Sequence, residues 1–269
     1  MNLFKKVLDF YINSSIHVAL AVFSLFRITE LYFGFSYDES LGFFVFFATI
    51  TGYNFVKYAG VAKLHHRSLT KNLQIIQVFS LICFLLMCYY AYLLPLRTFL
   101  FFIPLGGLTF LYAVPFLSGF QKNLRSIGYL KIIVVALVWA VTTVLLPVYA
   151  SETFFTTEVY LYVIQRFLLV IILILPFEIR DVQYDAISLQ TIPKKIGVEN
   201  TKKFGVVLLG VCLVLEFMIS PNTHFRTVFL VLFTVLLFLL MRAKTNQSKY
   251  YSSFWVEAIP IFWWLFLLV

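Results

Sequence analysis

Apolar stretches of some twenty residues recur from one end of this chain to the other, and they restrict it to a fold made in a membrane. A helix needs ~20 mostly apolar residues to cross the hydrocarbon core. Such stretches lie at 14–34, 40–61, 73–94, 98–117, 128–150, 159–178, 204–220, 226–242 and 254–269. Of the 269 residues, 62% are hydrophobic and only 12% charged, against roughly a quarter charged in a soluble domain. That is too little polar surface to coat a water-soluble globule, so soluble enzymes, disordered chains and disulfide-stapled secreted domains are excluded. The expected fold is an all-α integral membrane bundle of nine transmembrane helices, one unit over residues 1–269. Residues 1–13 read as an amphipathic interfacial segment, with Phe4, Val7, Leu8 and Tyr11 on one face and Lys5, Lys6 and Asp9 on the other. Asp9, Asn13, Ser14, Ser15 and His17 interrupt any apolar core of a cleaved leader.

The breaks between stretches fix an orientation. With the N-terminus inside, fifteen of the 21 Lys and Arg fall in inside segments, and only Arg97 and Arg226 fall outside. This bias predicts a cytoplasmic N-terminus and, with nine spans, a C-terminus on the other side. The formal charge of +9 then reflects topology, and no nucleic-acid partner is needed to explain it. Cys83, Cys88 and Cys212 sit in apolar runs without metal-type spacing and read as small hydrophobes.

Ionisable groups within or at the ends of spans default to functional hypotheses. The densest set is Glu178-Ile-Arg180-Asp181-Val-Gln-Tyr-Asp185. If the helix continues, Glu178, Asp181 and Asp185 share one side and repel one another unless a cation intervenes. Carboxylates so placed suit Mg²⁺ shared with substrate phosphates; Arg180 and nearby lysines serve equally as countercharges. Next comes Thr191-Ile-Pro-Lys194-Lys195-Ile-Gly197, a turn that aims cations back at the carboxylates or anchors to anionic membrane lipid. Arg27 and Glu30 are spaced to pair with each other, while Lys131 and Arg166 lie near helix ends and are expected to snorkel. His65-His66 reads as a solvated loop. Glu216 and Glu257 lie deep in spans with no partner evident from sequence.

Two of these segments carry a resemblance. Asp181-x3-Asp185 followed by Thr191-Ile-Pro-x-x-Ile-Gly197 resembles the second aspartate-rich motif of the UbiA family of intramembrane prenyltransferases, DxxxD and then TLPxxLG. Tyr112-Ala-Val-Pro115 with Lys122 and Arg125 following is similar to the family's Tyr-x-x-Pro segment and basic loop. The nine-span layout is similar too. The first family motif, NxxxDxxxD, departs: Asn54 matches, but Tyr58 and Ala62 stand where aspartates belong, and Lys57 adds a positive charge. The second motif's spacer is one residue short and lacks its glycine.

The resemblance implies a multi-pass cell-membrane prenyltransferase that moves an isoprenoid chain from a prenyl diphosphate to a lipophilic acceptor, aromatic ones included. It implies Mg²⁺, reduced here to one site at Asp181, Asp185 and Glu178. Asp181, Asp185, Asn54 and Lys57 are the expected catalytic set, with Lys57 standing in for the lost metal. Lys122, Arg125, Lys194 and Tyr112 are the expected diphosphate binders. The alternative is that Lys57 forms an ion pair with Asp181 or Asp185 and no metal binds. The chain would then be a catalytically silent relative with a lipid-binding or scaffold role.

Overall fold

A computed structural model describes residues 3–64, 71–114, 128–184 and 191–269. His65, His66, Lys122, Arg125 and Asp185 lie outside the described residues. Among those described the chain is all helix and turn: α1 Leu3–Asn13, α2 Ile16–Phe33, α3 Glu39–Leu64, α4 Lys71–Leu93, α5 Leu96–Ala113, α6 Gly128–Ala150, α7 Thr157–Asp181, α8 Ile192–Ile196, α9 Val198–Ile219, α10 Thr223–Arg242 and α11 Ile259–Leu267. A π-turn, Tyr251–Val256, leads into α11, and a second one, Val141–Leu145, interrupts α6. Over the described residues, every apolar stretch read from the sequence falls mainly on helix, the last on the π-turn and α11 together. Six of the helices (α2, α4, α5, α6, α7 and α10) are long and apolar enough to cross a membrane, and this is a multi-pass membrane protein.

Local chemistry sets the helix ends. Gly34 closes α2 with φ 66°, a left-handed conformation that glycine adopts at no steric cost, and its N–H donates to the Glu30 carbonyl. Thr156 and Asn222 cap α7 and α10, their side-chain oxygens accepting from Val159 and Phe225 N–H. Pro95 precedes α5, where a missing N–H costs nothing.

Most helices consecutive in sequence pack against one another, α5 packs on α3 and α6 rather than on α4, and α11 returns to pack on α2, which closes the bundle. α4 packs on the outer side of α3, and little of it is buried. α2 is the most buried of the six long apolar helices. α1 buries no residue; Leu3, Phe4 and Val7 are exposed along it, as an interfacial helix requires.

Candidate functional site

A cavity of about 450 Å³ lies inside the bundle, walled mainly by α2, α3, α5, α6, α7 and α11. Its shaft is apolar, with Val22, Val45, Phe102, Val138, Val170 and Leu173 along it. One end is charged: Lys57, Lys131, Glu178, Arg180, Asp181 and Glu257 all line it. A polar hollow of about 400 Å³ adjoins that end, sharing Ile12, Asn13, Arg180, Asp181 and Ser253 and adding Asp9 and Lys249. The last turn of α1 is therefore part of the wall between the two spaces.

The charged end is built from α3, α6 and α7, with Glu257 added from the break before α11. Near the start of α6, Lys131 Nζ lies 2.6 Å from Glu178 Oε1 on α7. Two residues on, Arg180 Nε donates to Asp181 Oδ1 at 2.7 Å, and its Nη1 donates to Ser253 Oγ at 3.2 Å. On α3, Lys57 Nζ donates to Ser15 Oγ at 2.8 Å and reaches the Ile12 carbonyl at 3.4 Å. Tyr58 Oη donates to the Asn13 carbonyl at 3.0 Å. Lys57 and Tyr58 thus hold the C-terminal carbonyls of α1, where the helix dipole favours a cation. One turn deeper, Trp139 Nε1 donates to Tyr53 Oη at 2.9 Å, joining α6 to α3 beside the shaft.

The expected site residues separate into groups. Lys57, Tyr112, Glu178 and Asp181 come together on the cavity wall. Asn54 lies on the same helix but away from that wall. Its amide donates to the Ser14 carbonyl and to Ser80 Oγ, and its oxygen accepts from Ser15 Oγ at 2.8 Å. Asn54 is a brace for the α1–α2 turn, and its hydrogen-bonding capacity is used there. Lys194 is half-buried on the short α8 and is not among the residues lining the cavity.

Three readings change. α7 ends at Asp181 and a turn runs on to Tyr184, whose N–H donates to the Asp181 carbonyl, so the continuous helix that would align Asp181 with Asp185 is interrupted. Glu178, expected as a metal ligand, is fully buried against Lys131. Lys131 and Arg166 do not snorkel. Each lies near a helix end in sequence but faces the bundle interior, where a partner awaits it: Glu178 for Lys131, the Leu25 carbonyl and Tyr162 hydroxyl for Arg166.

Glu257, which has no sequence-local partner, proves to line the charged end, with Lys57 and Arg180 within its electrostatic reach. Lys131 and Arg180 were also legible only as charges near helix ends, since their meeting depends on how α6, α7 and the π-turn pack. Whether the site fits Mg²⁺ follows from the same contacts. Among the described residues no three acidic, His or Cys side chains gather to hold a metal. Glu178 and Asp181 are each neutralised by a cation at hydrogen-bond distance. These residues by themselves do not fit a resident Mg²⁺.

A scan against models of protein families finds no match, and a search of curated proteins finds none. Solved structures do match. A UbiA homologue from Archaeoglobus fulgidus bound to DMAPP and Mg²⁺ is 14% identical, with 97% of this chain and 96% of that one covered at a TM-score of 0.62. A digeranylgeranylglyceryl phosphate synthase is 13% identical over 98% of both chains, with a TM-score of 0.59. The A. fulgidus homologue bound to GPP and Mg²⁺ gives 14% identity over 94% of both chains and 0.54. The chain has the UbiA fold.

Proposed function

We propose that this protein is a UbiA-type membrane prenyltransferase whose cavity takes a prenyl diphosphate with its head at the charged end and its chain along the apolar shaft. The observation that carries the reading is the cavity's polarity: an apolar, part-aromatic shaft with Lys57, Lys131 and Arg180 among the charged residues that line one end. Structures of the same fold hold DMAPP or GPP. The proposed setting is a nine-span bundle in the cell membrane, a single unit with its N-terminus in the cytoplasm and its C-terminus outside.

The chemistry follows from charge. When the allylic C–O bond breaks, the electron pair leaves with the diphosphate and positive charge remains on the carbon. Fixed donors aimed at the leaving oxygens stabilise that separation because they need no reorganisation at the moment of reaction. A guanidinium carries five N–H donors, of which Arg180 gives one to Asp181 and one to Ser253. The Lys57 ammonium carries three and gives two to the α1–α2 turn. The shaft excludes water from the cation, and a lipophilic acceptor enters from the membrane. Lys122 and Arg125 are proposed to add positive charge, because the three cations described face three carboxylates, Glu178, Asp181 and Glu257. The single Mg²⁺ site expected at Asp181, Asp185 and Glu178 would have to draw on Asp185, since Glu178 and Asp181 each face a cation.

That same charge balance favours the second reading, a silent UbiA-fold protein that holds a neutral lipophile. Release of diphosphate from geranyl diphosphate in proteoliposomes decides between them, measured with Mg²⁺ and with chelator. We expect release in the wild type and a drop of ~10²-fold or more in Arg180→Gln, the scale seen when one transition-state donor is removed. Geranyl diphosphate that neither binds nor turns over would leave the silent reading standing.

A further inference from the structure

Among the glutamates that face the bundle interior, Glu257 differs in what its carboxylate meets. Glu30 pairs with Arg27, Glu178 with Lys131, and Glu216 accepts from Tyr32 and Gln165. The Glu257 carboxylate makes no hydrogen bond or ion pair among the described residues, yet it lines the cavity. It is carried there by the break between the π-turn Tyr251–Val256 and α11, an irregularity of the kind often found at working sites. Four groups on three other helices lie within its electrostatic reach: Lys57 and Tyr53 on α3, Arg180 on α7, and Tyr11 on α1. Two of these are the cations assigned to the diphosphate, and Tyr53 lies one turn deeper than Lys57.

We propose that Glu257 is the base of the acceptor subsite, and that the acceptor is a lipophile bearing a hydroxyl group. The inference rests on the prenyl-transfer reading above. A diphosphate held by Lys57 and Arg180 places its allylic carbon just inside the shaft, next to Glu257. An acceptor hydroxyl hydrogen-bonded to that carboxylate then sits beside the carbon it attacks. In the step, the C–O bond to diphosphate breaks with its electron pair on the leaving oxygen. The acceptor oxygen bonds to the allylic carbon and its proton passes to Glu257. Charge balances: the carboxylate loses one negative charge as diphosphate gains one. A carboxylate in this position also repels a second anion, which sorts an uncharged acceptor from the charged donor.

The test uses the full-length protein in proteoliposomes with geranyl diphosphate as donor and 4-octylphenol as probe acceptor, reading geranylated product, diphosphate release and the donor KM. The wild type should form the adduct. Glu257→Gln should slow adduct formation ~10²-fold or more, the usual contribution of a positioned base, while donor KM stays within about threefold. Glu257→Asp, which keeps the charge on a shorter stem, should recover part of the rate, and it serves as the test variant if Glu257→Gln does not fold. Adduct formation that is unchanged in the variants overturns the role of Glu257. Diphosphate release by the wild type without any adduct overturns the hydroxyl-bearing acceptor and leaves the prenyl-diphosphate reading intact. No release at all removes that reading and this inference with it.

Discussion

Two clusters of charge lie inside the bundle, and they differ in what surrounds them. One is the charged end of the cavity, where Lys57, Lys131, Arg180 and Glu257 border open volume. The other joins α2, α7, α9 and α11. There Arg166 is fully buried, its Nη1 donating to the Leu25 carbonyl at 2.9 Å and its Nη2 to Tyr162 Oη at 2.6 Å. Its guanidinium also lies 5.0 Å from the Tyr162 ring centre and 5.3 Å from that of Trp263. Glu216 accepts from Tyr32 Oη at 2.6 Å and from Gln165 Nε2 at 2.8 Å, and Gln165 also donates to the Cys212 carbonyl. Arg166 and Glu216 line neither the bundle cavity nor the polar hollow beside it. In sequence the clusters look alike, as ionisable residues in apolar spans. The difference teaches that an intramembrane charge points to function when space remains beside it, and to structure when protein groups close around it.

The largest effect that would sharpen this contrast is on stability. Arg166→Ala should lower unfolding free energy by ~3–5 kcal/mol, the scale of breaking a buried charged cluster by removing one member, read from denaturation in detergent. Diphosphate release per folded molecule should be unchanged. Loss of release without loss of stability would move Arg166 into the working half of the molecule. The converse is Lys57→Ala. It should reduce diphosphate release ~10²-fold, about 2.7 kcal/mol of barrier, and shift stability by only ~1 kcal/mol through the lost bonds to the α1–α2 turn.

Much of the fold was legible because membrane helices announce themselves by length and apolarity: over the described residues each stretch read from 14 to 269 is mainly helical, and the 181–197 segment pointed to the fold that solved structures share. The site was legible in part. Glu178, Asp181, Lys57 and Tyr112 meet at the cavity, whereas Asn54 matches the first motif in sequence and serves as a brace. No local pattern could reveal that, because its partners Ser14 and Ser80 lie forty and twenty-six residues away. Glu257 was unreadable for the same reason: its setting is made by α1, α3 and α7, and only packing brings them to α11. Arg166 was misread because proximity to a helix end says nothing about which face it occupies.

Asn54→Ala tests the brace with a smaller expected effect. Ser15 holds φ 66°, a left-handed conformation uncommon for a residue with a Cβ, and Asn54 and Lys57 both bond its hydroxyl. Losing the amide should cost ~1–3 kcal/mol, since buried partners are left unsatisfied. It should also leave donor KM nearly unchanged, in contrast to Lys57→Ala. A KM that rose as much in Asn54→Ala as in Lys57→Ala would erase the distinction between brace and ligand.

The smallest effect concerns the outer side of the same turn. Asp9 on α1 accepts from Lys249 Nζ and from Tyr250 Oη at 2.7 Å, which ties the interfacial helix to the segment before the π-turn. The Lys249 hydrogen bond, followed by that of Tyr250, holds the Asp9 carboxyl below its ordinary range. A lowered folded value means that the tie contributes fully above the unfolded carboxylate pKa of ~3.9 and is lost as pH falls through the lowered value. Lys249 is more than half exposed, so solvent screening limits the contribution to less than ~1 kcal/mol. Asp9→Asn should reproduce at neutral pH the loosened α1 of acid conditions, seen as faster motion of a spin label at Val7. If the label is equally immobile in both proteins, α1 is held by the Asn54–Lys57 side alone, and the polar hollow beneath it is bounded by a helix with one attachment.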